Sequence, residues 1–222
     1  MNVLVISAHP DDETLGCGGT LLKHRSQGHR IHWLVVTRAH TPQWTKGVIQ
    51  RKANEVKRVA EAYGMEQCIR LHFPAVYLDT VPVVELIQEI SQAITVLKPE
   101  VVYVVHQGDV HTDHQRVFQA TGSMLKSFRM SRSGVRRLLC YETLSSTDAA
   151  APAAYQPFLP NVFNDITLYM DQKLKIMALY QTEIQADPLP RGPAAIRALG
   201  RVRGATIGVT YAEAFMLIRE VA

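Results

Sequence analysis

The 222-residue sequence is poor in cysteine, in long apolar runs and in excess charge of either sign, and each shortage removes a class of protein. Its three cysteines, Cys17, Cys68 and Cys140, are odd in number and far apart. A disulfide framework is therefore not expected; reduced, mostly buried thiols are. No apolar run approaches the roughly 20 residues that a membrane-crossing helix needs. Met1-Asn2 leads straight into an apolar run, with neither a basic segment nor a small-residue cleavage site. A cytoplasmic protein without an integral membrane segment is expected. The formal charge is only +4, from 24 basic and 20 acidic side chains. Arginines do gather at Arg129, Arg132, Arg136 and Arg137, and again at Arg191, Arg197, Arg201 and Arg203. No stacking platform or reader motif accompanies them, so nucleic acid is not expected as a partner, and a small anionic substrate suits the second group at least as well. Repeats, low-complexity stretches and an interdomain linker are missing too, which makes one domain, 1–222, the simplest count.

What is present is alternation. Short apolar runs at Val3–Ala8, Ile31–Thr37, Ile69–Phe73, Val101–Val105 and Arg137–Glu142 read as strands. Between them, Leu15–Gln27, Trp44–Tyr63, Val83–Leu97 and Gln115–Phe128 have helical spacing, with Gly28 and Gly64 as stop signals. Asp171–Gln181 and the short Ala194–Arg201 add helices, and Ala212–Arg219 is a last apolar segment. This order predicts an α/β, Rossmann-like fold with a mostly parallel sheet and helices on both faces. Its ligand would sit at the carboxyl ends of the strands. Residues 145–165, rich in Ala, Pro, Ser and Asn, read as a long loop over that end. Residues 187–193 are a turn-rich excursion.

Two clusters of metal-ligand residue types fall at such strand ends. His9-Pro10-Asp11-Asp12-Glu13 follows the first strand and His111-Thr112-Asp113-His114 follows the fourth. Charged groups are costly to desolvate unless paired or metal-bound, so packing alone does not call for them. A catalytic metal typically takes three protein ligands and keeps one position open. His9 and a carboxylate of the Asp11-Asp12 pair can face one point from a turn, and His114 brings a third ligand. The other carboxylate is then free to act as general base on a water whose pKa the metal lowers. His111 is placed to stabilise the oxyanion or protonate the leaving amine, and Asp113 to orient an imidazole. Glu13 either favours a helix N-terminus or braces the loop. Gly16, Gly18 and Gly19 lack the spacing of a dinucleotide loop, since Leu21 stands at the third glycine position, and read as tight turning beside the metal loop. Cys17 reads as a small buried residue between them.

Ala8-His9-Pro10-Asp11-Asp12-Glu13 together with His111-Thr112-Asp113-His114 resemble the motifs of the PIG-L/LmbE-like zinc-dependent deacetylase family. The resemblance continues through Thr14–Gly19 and, more loosely, to Ala212-Glu213-Ala214-Phe215. It implies a Rossmann-like fold and removal of an N-acetyl group from an N-acetylglucosamine-type conjugate, a glycoside or a sugar nucleotide. It also implies zinc on His9, Asp12 and His114, Asp11 as base and His111 as its electrostatic or acid partner. Ferrous iron suits the same ligands. The family's Arg-x-x-x-Glu stretch is matched by Arg51 and Glu55, which implies that Arg51 faces substrate. Where many relatives carry an acidic-Gly turn this chain has Thr37-Arg38-Ala39-His40, and His40 is a candidate at the substrate mouth. Glu142, ending the fifth strand, is a candidate for a sugar hydroxyl by position. Some relatives form trimers or hexamers, so a homo-oligomer is possible by resemblance. Two other readings stay open: hydrolysis of another amide or of a phosphoester, and a non-catalytic glycan- or nucleotide-binding protein that keeps the metal site.

Overall fold

The computed structural model describes residues 1–151 and 156–222; positions 152–155, within the stretch expected to be a long loop, lie outside the described residues. Strand β1 (Asn2–Ser7) is buried from Val3 onward, with Val3, Leu4, Val5 and Ile6 wholly inaccessible. A strand buried on both faces needs neighbours on both sides. It has them: β2 (Arg30–Arg38) and β4 (Val101–Val105) flank it, both parallel. Beyond β2 lies β3 (Gln67–Pro74) at the edge, and beyond β4 lies β5 (Arg137–Tyr141), again parallel. The full order is β3-β2-β1-β4-β5-β7-β6, a seven-stranded sheet. This is the mostly parallel α/β sheet that the alternation predicts.

The order places β1 and β4 side by side although β2 and β3 intervene in sequence. Chain direction across the sheet reverses there, and the crevice so formed at the strand carboxyl ends is where such folds bind ligands. Both His/Asp clusters follow these two strands.

Helix α1 (Asp12–Ser26) begins three residues before the expected Leu15, so Asp12 and Glu13 lie in its first turn. Its glycines are not turn residues. A Cβ on Gly16 would run into the Tyr141 ring, and one on Gly19 would meet Ile166 Cβ at 2.7 Å. The helix must approach the sheet this closely for its first turn to reach the end of β1, and only glycine permits it. Tight turning is therefore corrected to tight packing. Cys17 beside them is fully buried, as expected.

Helix α2 (Lys46–Tyr63) is capped by the Thr45 hydroxyl, which accepts Val48 N–H, and ends at Gly64 with φ 64°. Helix α3 (Val83–Leu97) matches the sequence spacing. The single helix expected over Gln115–Phe128 is two, α4 (Thr112–Met124) and α5 (Ser127–Ser133), with Leu125 buried at the break. The chain then departs from the parallel pattern. Strand β6 (Val162–Asp165), inside the stretch read as loop, pairs antiparallel with β7 (Ala212–Glu220), which pairs antiparallel with β5. Helices α6 (Met170–Met177) and α7 (Pro193–Ile207) separate them, α7 running well past the expected Arg201. Glu213 of β7 is buried, accepts the Gly19 and Thr20 N–H groups and pairs with Lys173 Nζ at 2.7 Å. One carboxylate thus ties the last strand to α1 and α6. Among the described residues no helix is long and apolar enough to cross a membrane.

Candidate metal centre and cleft

The turn after β1 is wound around its own carboxylates. Asp11 is held at φ 117°, a conformation L-residues rarely adopt and which costs about 1–3 kcal/mol. Its carbonyl accepts the N–H groups of Thr14 and Leu15, and its own N–H donates to Glu13 Oε2 at 3.1 Å. Glu13 is wholly buried and also accepts the hydroxyls of Thr14 (2.5 Å) and Tyr180 (2.7 Å). Glu13 is therefore a brace of this loop. Asp12 Oδ2 accepts His9 N–H at 2.8 Å, which leaves Oδ1 directed at His114 Nε2, 3.3 Å away.

The second strand end supplies the facing half. His111 is the N-cap of α4: its Nδ1 accepts Asp113 N–H at 3.2 Å, which leaves the ring proton on Nε2. The cap starts the helix so that Asp113 and His114 fall in its first turn, both buried. Asp113 Oδ2 binds His9 Nε2 at 2.8 Å and accepts Val76 N–H at 2.7 Å, while Oδ1 accepts Leu78 N–H. His9 Nδ1 is left facing Asp12, with 3.8 Å to Oδ2. His114 Nδ1 meets Asp109 Oδ2 at 2.7 Å, and Asp109 also accepts the Thr147 hydroxyl at 2.6 Å. The three imidazoles pack together, with centroids 4.4 to 5.4 Å apart.

His9, Asp12 and His114 therefore offer ligand atoms that all lie within 4.8 Å of one another. Each imidazole has its far nitrogen fixed by a carboxylate, Asp113 for His9 and Asp109 for His114, the usual outer support of a metal-ligating histidine. The electrostatics agree. Burial opposes a charge on His114, but Asp12 and Asp109 outweigh it and raise its pKa to about 10. Burial likewise raises Asp12, and the His114 and His9 imidazoles outweigh it and hold the carboxyl below its ordinary range. The carboxylates around His114 favour one positive charge there, which a divalent ion would also supply. This His/Asp group can bind a metal ion. A second grouping, His9, His111 and Asp113, also falls within 4.8 Å, but Asp113 is already spent on one ring and two backbone N–H groups.

Asp11 and His111 stand beside this donor set. Burial and then the Asp12 charge push Asp11 up from 3.8 to about 8, against the pull of Arg191, whose Nη1 lies 3.2 Å from Asp11 Oδ2. Burial, with His9 and His114 adding to it, lowers His111 to about 4 and keeps the ring neutral. Arg191 also holds Glu183 at 2.9 Å, and Glu183 pairs with Lys52 of α2. Glu183, Lys52 and Asp109 carry no motif, and sequence reasoning does not single them out as site residues; Arg191 is noted there only within an arginine group suited to an anionic substrate, not as a partner of Asp11. Only the proximity of Asp109 to His111-Thr112-Asp113-His114 hints at it in sequence.

The donor set floors a cleft of about 680 Å³ that runs from His9, Asp11, His111 and His114 over the end of β2 to β3 and is roofed by α2. Trp44, Val48, Ile49, Ala53 and Val56 form its apolar wall. The three expected substrate contacts are placed elsewhere. Arg51 is exposed and does not line the cleft; Lys52, next in sequence, does. Glu142 is clamped by Arg203 through Nε at 2.8 Å and Nη2 at 2.6 Å, and it borders a separate cavity of about 320 Å³. His40 packs edge-on against Trp44 and Tyr77 at the rim, and Trp44 rather than His40 reaches the cleft. Most of the second basic segment is engaged within the protein: Arg197 pairs with Asp171, Arg201 donates to Thr210 O, and only Arg191 enters the cleft.

A doubly wound sheet with a His/Asp group able to bind a metal ion at its switch point defines a class, the α/β proteins with a potential metal site at their strand ends. Comparison with known proteins narrows it. Residues 4–125 match the family described as PIG-L, GlcNAc-PI de-N-acetylase. The chain is 30% identical over 172 residues to the "uncharacterized deacetylase YaiS" of Escherichia coli (strain K12), covering 74% of this chain and 81% of that one. It is 25% identical over 230 residues to the diacetylchitobiose deacetylase of Thermococcus kodakarensis, covering 97% and 82%. The crystal structure of the conserved protein TT1542 from Thermus thermophilus superposes with a TM-score of 0.78 at 28% identity, over 99% of this chain and 96% of that one. The chain belongs to the PIG-L family.

Proposed function

We propose that the protein is a metal-dependent N-deacetylase that releases acetate from an N-acetylated amino-sugar conjugate, with residues 1–222 working as one domain. The observation that carries this reading is the presence of two titratable groups, Asp11 and His111, in the cleft beside the donor set and outside it. Holding a metal requires neither. Hydrolysing an amide makes use of both kinds of group, a base for the attacking water and a donor for the developing oxyanion. The diacetylchitobiose deacetylase among the relatives supports an amino-sugar substrate.

His9, Asp12 and His114 would hold the ion, zinc or equally ferrous iron by their chemistry. Such an ion supplies a lowered pKa for water and polarisation of the acetamide carbonyl. With a cation held by its neighbours, Asp11, which burial and the Asp12 charge raise to about 8, would lose its proton more readily and serve as base. Asp11 then takes a proton from the attacking water. His111 Nε2–H donates to the carbonyl oxygen as it gains negative charge. When the C–N bond breaks, Asp11 returns its proton to the amine nitrogen, leaving acetate and a free amino sugar. Asp113 and Asp109 keep the His9 and His114 rings turned to the donor point, and Glu13 and Arg191 hold the Asp11 loop and carboxylate.

Acetate release from a panel of N-acetylated sugars, glycosides and sugar nucleotides tests the reading, with metal-loaded protein and Asp11→Asn beside it. Release on a member of the panel, reduced about 10²- to 10⁴-fold in the variant, is expected. Turnover retained in Asp11→Asn sinks the base assignment. Absence of acetate with one metal ion bound per chain sinks the deacetylase reading.

A further inference from the structure

We propose that the β2–β3 end of the cleft is an anion subsite, in which Arg38 and Arg70 bind a carboxylate or phosphate on the part of the substrate beyond its acetylated sugar. The proposal rests on the deacetylase reading for the placement of the sugar and names the charge of what the sugar is joined to.

Strand β3 alternates in exposure over Ile69-Arg70-Leu71-His72-Phe73. Ile69, Leu71 and Phe73 pack against the core, whereas Arg70 and His72 are exposed and line the cleft. Both open on the cleft beside an irregularity in the ladder, where the register of β3 with β2 shifts between Val35 and Thr37. Arg70 is in register with Val35 of β2, itself in the cleft wall, and Arg38 lies at the end of β2 opposite Pro74. On the deacetylase reading the acetamide sits at the donor set after β1 and β4, and the arm of the cleft along β2 and β3 is open to what the sugar is joined to.

The charges of the cleft are divided unequally. Its carboxylates are Asp11 and Asp12 at the donor set and Glu183, which is taken by Lys52 and Arg191. None borders Arg38 or Arg70 along β2 and β3, and among the described residues neither guanidinium makes a hydrogen bond or an ion pair. An edge-strand arginine alone is an ordinary guard against strand pairing. Arg38 is not on an edge strand: β2 lies between β1 and β3, and its arginine lines the same cleft as Arg70. Two guanidiniums in one cleft, with no protein acid to answer them, match the fork geometry of carboxylate and phosphate.

The test uses three matched aryl glycosides of N-acetylglucosamine: unsubstituted phenyl, 4-carboxyphenyl and 4-phosphonooxyphenyl. Acetate-release kinetics give the ratio of kcat/KM for each charged glycoside to the neutral one. Binding of the three already deacetylated counterparts is measured by calorimetry, so that the subsite is read without turnover. A ratio of roughly tenfold or more in the native protein is expected, falling toward one in Arg38→Ala/Arg70→Ala and with added salt. The carboxylate and phosphate arms show which anion is preferred. A native ratio near one, or a ratio unchanged in the double variant, overturns the subsite. Turnover without charge preference overturns the subsite and leaves the deacetylase. Charge-dependent binding lost in the double variant, with no acetate from any glycoside, upholds the subsite and overturns the deacetylase.

Discussion

Replacing Asp11 by asparagine should stabilise the metal-free protein while it disables hydrolysis. Asp11 is 4% exposed, and burial followed by the Asp12 charge raises its pKa from 3.8 to about 8. The folded protein thus keeps a proton that the unfolded chain gives up. Its contribution to stability is complete below pH 3.8, declines as pH rises, and levels off above about 8. The slope between those limits approaches about 1.4 kcal/mol for each pH step of one. From pH 5 to pH 8 the wild type should lose roughly 3–4 kcal/mol through this one carboxyl, after rounding of the curve near its upper end. Asparagine has no proton to lose. Its carbonyl can still accept from Arg191 Nη1, which lies 3.2 Å from Asp11 Oδ2, so the loop keeps its anchor. Urea unfolding of chelator-treated wild type and Asp11→Asn at pH 5 and pH 8 reads the effect. His114, raised to about 10, also makes the fold pH-dependent, its contribution being lost from pH 6.5 upward, but it is present in both proteins and cancels in the comparison. The stability gap in favour of the variant should widen by about 3–4 kcal/mol from pH 5 to pH 8. An equal gap at both pH values refutes the claim that the Asp11 carboxyl is held at the expense of the fold.

Asp109→Ala should weaken metal binding about 10- to 100-fold by freeing the far nitrogen of His114, and an affinity equal to wild type in a competitive zinc titration would show that Asp109 does not orient the ring. Saturating metal at about 1,000 times Kd should stabilise the wild type by roughly 4 kcal/mol in urea unfolding, and His114→Ala should abolish most of that gain. Gly16→Ala drives a methyl into the Tyr141 ring, and a loss of about 1–3 kcal/mol in the same assay is expected. A loss below about 0.5 kcal/mol would mean that α1 can move off the sheet without consequence for packing.

How much of this is legible follows from what each residue type can signal alone. The ligand candidates stand out because His9, Asp12 and His114 are residues that a buried strand end rarely carries without a reason, and two apolar runs point to where they meet. The five parallel strands are readable for a similar reason: Val3–Ile6 and Val101–Val105 are too apolar to lie anywhere but the centre of a sheet. The antiparallel end is not. Val162–Asp165 is four residues with no periodicity to read, and it becomes a strand only because β7 leaves an edge to pair with. The glycines of α1 mislead for the same reason, since the partners that forbid a side chain there, Tyr141 and Ile166, come from distant parts of the chain.

Asp113 and Glu13, inside the two motifs, are readable as supports, but the supports from outside them are not. Many carboxylates in the chain could turn an imidazole, and only the loop after β4 selects Asp109 for His114. Arg191 meets Asp11 across 180 positions, through a segment whose other arginines are bound to Asp171, Thr210 O and Glu142. Arg51 and Lys52 show how fine the distinction is: one step along α2 separates an exposed cation from one that faces Glu183 in the cleft. A motif names the atoms that touch the chemistry because chemistry permits few choices there. Specificity is set where many choices are permitted, as on a cleft wall such as β2 and β3, and the proposed Arg38–Arg70 subsite is the kind of feature that no motif announces.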